Sequence, residues 1–347
     1  MFTFLTFGDC MNVHLVGSIG LDSVEEVFAT VGPLLGKYVK RIPDGEVGPR
    51  RLWVSFQYPL LRSSPYLRPD PSGEVRPTNK FPKLCLADGV QPSEVTFGEL
   101  GYAREAKGSY LDFCAARERG EIPKGVRFQV CLPTPMGVIY AFCTARDVVA
   151  IDAAYEKAMI QEARRLCAAI PHADLCIQWD FCHEMIILDG QPQDQFPTVN
   201  ASRDDIMQRM GRICAAVPTD VELGVHLCYG DFAAKHFSEP RDIGPMVQVA
   251  NAIADAVSRQ IDYFHMPVPI SRSYDAYFAP LKELKFRGEL YLGVIHAADG
   301  VEGTRKRMAT AGKHVPKFGI ACECGIARAR RPELVRRLLQ IHAAAAG

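Results

Sequence analysis

The sequence predicts an α/β fold, specifically an eight-stranded (β/α)8 TIM barrel, and three observations lead there. Eight short apolar runs alternate with segments whose apolar residues recur at helical spacing. Nearly every position in these runs is apolar, the pattern of strands buried on both faces in a parallel sheet covered by helices. The glycine-rich phosphate loop of a dinucleotide fold is absent, which leaves an open doubly wound sheet as the weaker alternative.

In chain order the runs are residues 13–16, 38–42, 126–132, 175–179, 221–227, 261–266, 290–295 and 318–322. Helical segments are expected at 23–36, 147–169, 202–216, 243–258, 303–312 and 332–343. Their starts carry the right chemistry: Asp22 or Ser23 precedes Glu25 and Glu26, and Ser202 precedes Asp204 and Asp205. Side-chain acceptors and negative charge there meet the unpaired amides of a first turn. The rhythm breaks once, from Arg51 to Pro123, where Pro-rich and polar pieces precede a helix expected near 100–119. This stretch reads as an insertion after strand two, either a lid or substrate wall or a surface embellishment. The whole of 1–347 is read as a single barrel domain, and no internal repeat is visible.

Forty basic residues balance forty acidic ones, so no long-range field draws the chain to nucleic acid or a membrane surface. The expected partners are small molecules; the sequence sets no oligomeric state. The start, MFTFLTFGDCMNVHLVGSIG, lacks a basic region followed by a clean apolar core and cleavage site. No stretch approaches the ~20 uninterrupted apolar residues of a spanning helix. The twelve cysteines are sparse for the length, and Cys131, Cys176 and Cys322 fall inside apolar runs, as buried free thiols of a cytoplasmic protein would.

A barrel builds its active site at the C-terminal ends of its strands. Polar residues collect at those positions: Gly17-Ser18, Asp44-Gly45-Glu46, Thr134, Asp180 with His183 and Glu184, His226 through Asp231, His265, His296 with Asp299, and Glu323-Cys324-Gly325. The strongest local pattern is His226-x-Cys228. Residues two apart on a strand point the same way, so an imidazole and a thiolate can face one metal. Cys324, at the end of the last strand, supplies a second sulfur, and that donor set favours zinc over oxygen-seeking magnesium or calcium. Cys322 lies one pleat deeper and reads as core; Cys182 stays outside the site. The competing reading is a core histidine beside a structural cysteine.

These residues, in this order, resemble the C-terminal catalytic domain of cobalamin-independent methionine synthase. That barrel family includes epoxyalkane:coenzyme M transferase and resembles uroporphyrinogen decarboxylase in fold. Val16-Gly17-Ser18 is similar to its Ile-Gly-Ser, Gly45-Glu46 to its His-Gly-Glu, and Ile177-Gln178-Trp179-Asp180 to its Gln-Ile-Asp-Glu-Pro. His226-Leu227-Cys228-Tyr229-Gly230-Asp231-Phe232 is similar to its His-x-Cys-Tyr-Ser-x-Phe, and Cys324-Gly325-Ile326 to its Asp-Cys-Gly-Leu. The resemblance implies zinc held by His226, Cys228 and Cys324, with a small thiol as a further ligand that becomes a thiolate and attacks an electrophilic carbon. It implies an amino-thiol bound through Ser18, Glu46 and Asp180, and Tyr229 and Asp231 join them as substrate-side candidates.

The departures matter. The family's glutamate ligand on strand six has no counterpart, and His265 is the substitute, as a fourth ligand or as a general base. Its Asp-Glu-Pro becomes Asp180-Phe181-Cys182, and its large N-terminal folate-binding half has no equivalent. The expected activity is therefore a zinc-dependent transfer of an alkyl or methyl group to a small thiol, short of a complete methionine synthase. Asp180, His183, His265 and His296 are the catalytic candidates. The alternative is a metal-dependent hydrolase or C–C lyase using zinc-bound water, with a base among His183, Glu184, His265 and His296. A metal-free decarboxylase, relying on Arg50, Arg51 and Arg272, or a non-catalytic binding barrel comes third.

Overall fold

Apolar runs buried on both faces have only backbone groups left to satisfy, and pairing side by side satisfies them. The computed structural model describes residues 11–190, 201–231 and 235–347; the first ten residues and Phe232 of the metal motif lie outside that range. Its strands are β1 (Arg41–Pro43), β2 (Leu67–Pro69), β3 (Leu84–Leu86), β4 (Arg127–Pro133), β5 (Leu175–Phe181), β6 (Glu222–Leu227), β7 (Tyr263–Pro267), β8 (Glu289–Ile295) and β9 (Gly319–Cys322). Two of them, β2 and β3, pair antiparallel with each other. The other seven form one curled parallel sheet in the order β1-β4-β5-β6-β7-β8-β9. All seven residues of β5 are buried, as a strand covered on both faces must be. The covering helices include Val24–Leu35, Tyr102–Glu118, Val148–Ala169, Arg203–Ala215, Gly244–Ala256, Gly300–Ala311 and Pro332–Ala346. Ser23 and Ser202 cap the first and fourth of these, each accepting from the amide three residues on. Among the described residues no helix is long and apolar enough to cross a membrane.

The run at 13–16 departs from expectation: it is not a strand of the sheet. Val13 makes isolated parallel bridges to Val39 and to Ile320 of β9, so it touches both edges of the sheet. The ladder stops there because side chains take the next carbonyls. Gln129 Nε2 donates to Leu15 O at 2.9 Å, and Gln178 Nε2 donates to Val16 O at 2.6 Å. The segment is held by these glutamines together with a few backbone bonds, Val13 N–H to Tyr38 O at 2.8 Å and His14 N–H to Ile320 O at 2.9 Å, too few to make a continuous ladder.

Between β1 and β4 the chain is tied down by buried side chains from its neighbours. Glu162 accepts from the amides of Leu100 (3.1 Å) and Ala103 (2.7 Å), and Tyr155 donates to Gln57, which donates to Leu100 O. The helix Tyr102–Glu118 packs against Val24–Leu35, Val148–Ala169 and β4. The residues before it reach over the C-terminal ends of the strands.

Candidate functional site

Register levels three candidate residues on neighbouring strands: Asp180 of β5 pairs with His226 of β6, which pairs with His265 of β7. Cys228 follows two residues beyond His226, its amide donating to Phe181 O at 2.9 Å, so the β6 alternation persists to the thiol. Cys324 stands two residues past β9. Ligand atoms of His226, Cys228 and Cys324 all lie within 4.8 Å of one another.

Hydrogen bonding decides which histidine nitrogen faces this group. His265 Nε2 is 3.0 Å from Cys322 O, and a carbonyl only accepts, so Nε2 carries the proton. His265 Nδ1 is then an acceptor, 2.7 Å from His226 Nδ1, which must donate. That leaves a lone pair on His226 Nε2, a buried atom with no hydrogen-bond partner. Burial holds both rings neutral, His265 down at about 3 and His226 well below the ordinary range. His265, the expected fourth ligand, thus stands behind His226 and orients it, with both its own nitrogens occupied.

The sulfurs are 3.8 Å apart. Two sulfurs at ~2.3 Å from a tetrahedral ion would stand about 3.8 Å apart, whereas a disulfide needs ~2.05 Å. Gly230 donates its amide to Cys228 Sγ at 3.3 Å, and Arg328 Nη2 lies 3.3 Å from Cys324 Sγ. Gly230 has φ +85°, and a Cβ there would fall 2.0 Å from the Phe237 ring, so this donor requires glycine. The donor set, the spacing and the orphaned Nε2 fit a zinc ion. Replacing His265 by phenylalanine keeps a ring and removes the acceptor for His226. Zinc affinity is expected to fall about 10- to 100-fold, as for other residues that orient a ligand, measured by competition with a chromophoric chelator.

A cavity of about 150 Å³ opens beside these residues, lined also by Ser18, Glu46, Trp53, Asp180 and Asp231. Asp180 accepts from Gln178 Nε2 at 2.9 Å and from Trp53 Nε1 at 3.2 Å. Burial raises its pKa to about 7; burial and then the Asp180 charge raise that of Glu46 to about 8. Two carboxylates in one pocket thus keep a proton near neutrality. Glu46 (φ 49°) and Trp53 (φ 54°) are both non-glycine residues in left-handed backbone, strain of the kind held at functional sites. Ser18 Oγ is buried without a hydrogen-bond partner.

Most of the other candidates stand outside the pocket. Tyr229 is fully buried and absent from the pocket lining, because the alternation that turns His226, Cys228 and Gly230 to the pocket turns Tyr229 away from it. Asp231 lines the pocket but is held by Arg328 (3.4 Å) and Arg330 (3.1 Å). His183 stacks behind Trp53, with ring centroids 6.3 Å apart, and His296 bonds Val268 O at 2.9 Å and faces Glu323 at 3.3 Å. Neither lines the pocket, nor does Glu184. Arg50 pairs with Asp44 at 2.8 Å, Arg51 donates to Leu21 O and Arg272 donates to Pro240 O, so the three arginines expected for a decarboxylase are engaged, and none of them lines the pocket. Trp53 and Arg328, not among the expected site residues, line the pocket, and so does Cys182, which was expected outside the site. Nothing local in the sequence marks these residues; the Asp231 partner of Arg328 and Arg330 comes from nearly a hundred residues away.

No family model matches the chain, and no match to it was found among curated proteins. Among solved structures it is similar to a B12-independent methionine synthase from Shewanella sp. W3-18-1 in complex with selenomethionine. The TM-score is 0.58 and the identity 15%, over 96% of this chain and 97% of that one. At that identity the likeness is one of fold. An Old Yellow Enzyme from Pichia sp. AKU4542 overlaps at a TM-score of 0.39 and 12% identity, covering 68% of this chain and 66% of that one, and carries no argument.

Proposed function

We propose that this chain is a zinc-dependent enzyme that transfers an alkyl or methyl group to a small thiol, on a (β/α)8 barrel whose eighth position is the segment through Val13. The observation that carries the reading is the His226–Cys228–Cys324 group sharing one pocket with the Glu46–Asp180 pair. Its overall fold, shared with a methionine synthase, supports it. When bound, zinc lowers the pKa of a substrate thiol at its open position and so makes a nucleophile available near neutral pH.

The chain's own groups do the rest. His265 presents the Nε2 lone pair of His226 to the ion. Arg328 and Gly230 each donate to one sulfur, contacts that favour the thiolate form a bound ion would require. Glu46 and Asp180, protonated as a pair when empty, release that proton to receive an ammonium group, and Trp53 orients Asp180 by its indole N–H. Leu52, Trp53 and Ser55 form one wall of the pocket. Among the described lining residues His226 is the only histidine, so the bases invoked for water chemistry stand outside the pocket.

The test is consumption of a free amino-thiol by zinc-loaded protein in the presence of a small alkyl electrophile. Loss of thiol in step with loss of electrophile is expected. Electrophile consumed equally without thiol would replace this reading with the hydrolytic one.

A further inference from the structure

The pocket has a second wall that thiol activation does not use. Ser55, Arg76, Thr78 and Asn79 line it, all from the stretch between β1 and β4. Three arginines are buried among the described residues: Arg41, Arg76 and Arg307. Arg41 pairs with Glu222 and Glu289, and Arg307 pairs with Asp299 at 2.6 Å. Arg76, only 8% exposed, has no such partner. Its Nη1 reaches Ser55 Oγ at 3.3 Å and its guanidinium lies 4.9 Å from the Phe142 ring centre, with no carboxylate of the described residues at ion-pair distance.

The surroundings deepen the imbalance. Lys83 is buried as well and spends its ammonium on the carbonyls of Tyr140 (3.3 Å) and Ala141 (3.2 Å), so it neutralises nothing. Thr78 Oγ1 is buried with no hydrogen-bond partner. Asn79 Nδ2 and Arg76 both donate to Ser55 Oγ, which gathers three polar side chains at one spot. A buried cation without an anion is costly, and its persistence beside an unsatisfied hydroxyl on a pocket wall marks a place where a ligand supplies the charge. A guanidinium fork suits a planar or tetrahedral oxyanion, which it grips through two parallel N–H bonds.

We propose that Arg76, with Thr78, Ser55 and Asn79 around it, binds a carboxylate, sulfonate or phosphate group of a reactant. The site rests on the proposed thiol chemistry only in calling that molecule a reactant. With Glu46 and Asp180 it gives the pocket separate places for an ammonium group and an oxyanion. The oxyanion can belong to the electrophile or to the thiol itself, and both present the same chemistry to Arg76.

Titration calorimetry and thermal unfolding of the full chain test this with acetate and inorganic phosphate as probes. Wild type and Cys324→Ser are expected to bind at least one of the two with equal affinity, because the subsite does not need the metal. Arg76→Met should weaken that binding at least tenfold and Arg76→Lys less, while the melting temperature of Arg76→Met stays level or rises, since an uncompensated buried cation is gone. Cysteine and cysteamine differ by a carboxylate and separate the sources. A loss confined to cysteine in Arg76→Met assigns the oxyanion to the thiol; unchanged binding of both assigns it to the electrophile. Wild type that binds neither probe, or Arg76→Met that binds as tightly, would overturn the proposal. So would an Arg76→Met that melts well below wild type, because the arginine would then be structural. Anion binding that persists in a wild type consuming no thiol would keep the subsite and end the thiol reading instead.

Discussion

Cys324→Ser and His226→Ala proteins are expected to lose bound zinc together, with affinity reduced more than about 100-fold, beyond the effect of disturbing a residue that merely orients a ligand. Each substitution removes one of three donors that the fold holds within 4.8 Å. In Cys324→Ser the Arg328 guanidinium also loses its sulfur and keeps only Asp231. Thiol consumption should fall with metal content in both proteins and in Cys228→Ser. Melting curves separate this from misfolding: the ligands stand at strand ends, so the sheet should survive. Equal zinc retention in both variants would remove His226 and Cys324 from the site.

The second large effect concerns the carboxylate pair. Asp180→Asn or Glu46→Gln should weaken an amino-thiol by about 2–5 kcal/mol, the usual loss when one partner of a buried charge contact is removed, or roughly 30- to several thousand-fold. A thiol lacking the amine should be affected far less. The pH dependence has a definite sign. Both folded-state pKa values lie above the ordinary carboxylate range, at about 7 for Asp180 and about 8 for Glu46. Folded protein therefore keeps protons that the unfolded chain has released, and this pair makes stability fall as pH rises from about 4 toward 8. Glu46→Gln should flatten that decline. Binding of the ammonium group should release a proton below pH 7, seen as a dependence of the calorimetric heat on the buffer's ionisation enthalpy. A buffer-independent heat at pH 6.5 would contradict the pairing.

Much of this was legible because two periodicities are simple. Seven of the expected strands coincide with strands of the sheet within a few residues, since apolar runs bounded by turns have few other fates in a covered parallel sheet. His226 and Cys228 were readable as a pair because strand neighbours two apart share a face. The limits are equally physical. Residues 13–16 look like a strand, but glutamine side chains from β4 and β5 claim their carbonyls, a contact more than a hundred residues away in sequence. The role of His265 depends on a carbonyl of β9, which spacing within β7 cannot reveal. Tyr229 belonged to the family pattern yet lies on the face opposite His226 and Cys228, buried away from the pocket. Trp53 reaches Asp180 from a left-handed backbone position that no propensity favours for tryptophan.

The most direct measurement is zinc-edge X-ray absorption on protein purified without added metal. About one zinc per chain is expected, with two sulfurs at ~2.3 Å and one nitrogen at ~2.0–2.1 Å. Only trace zinc, or a shell unchanged in Cys324→Ser, would contradict it.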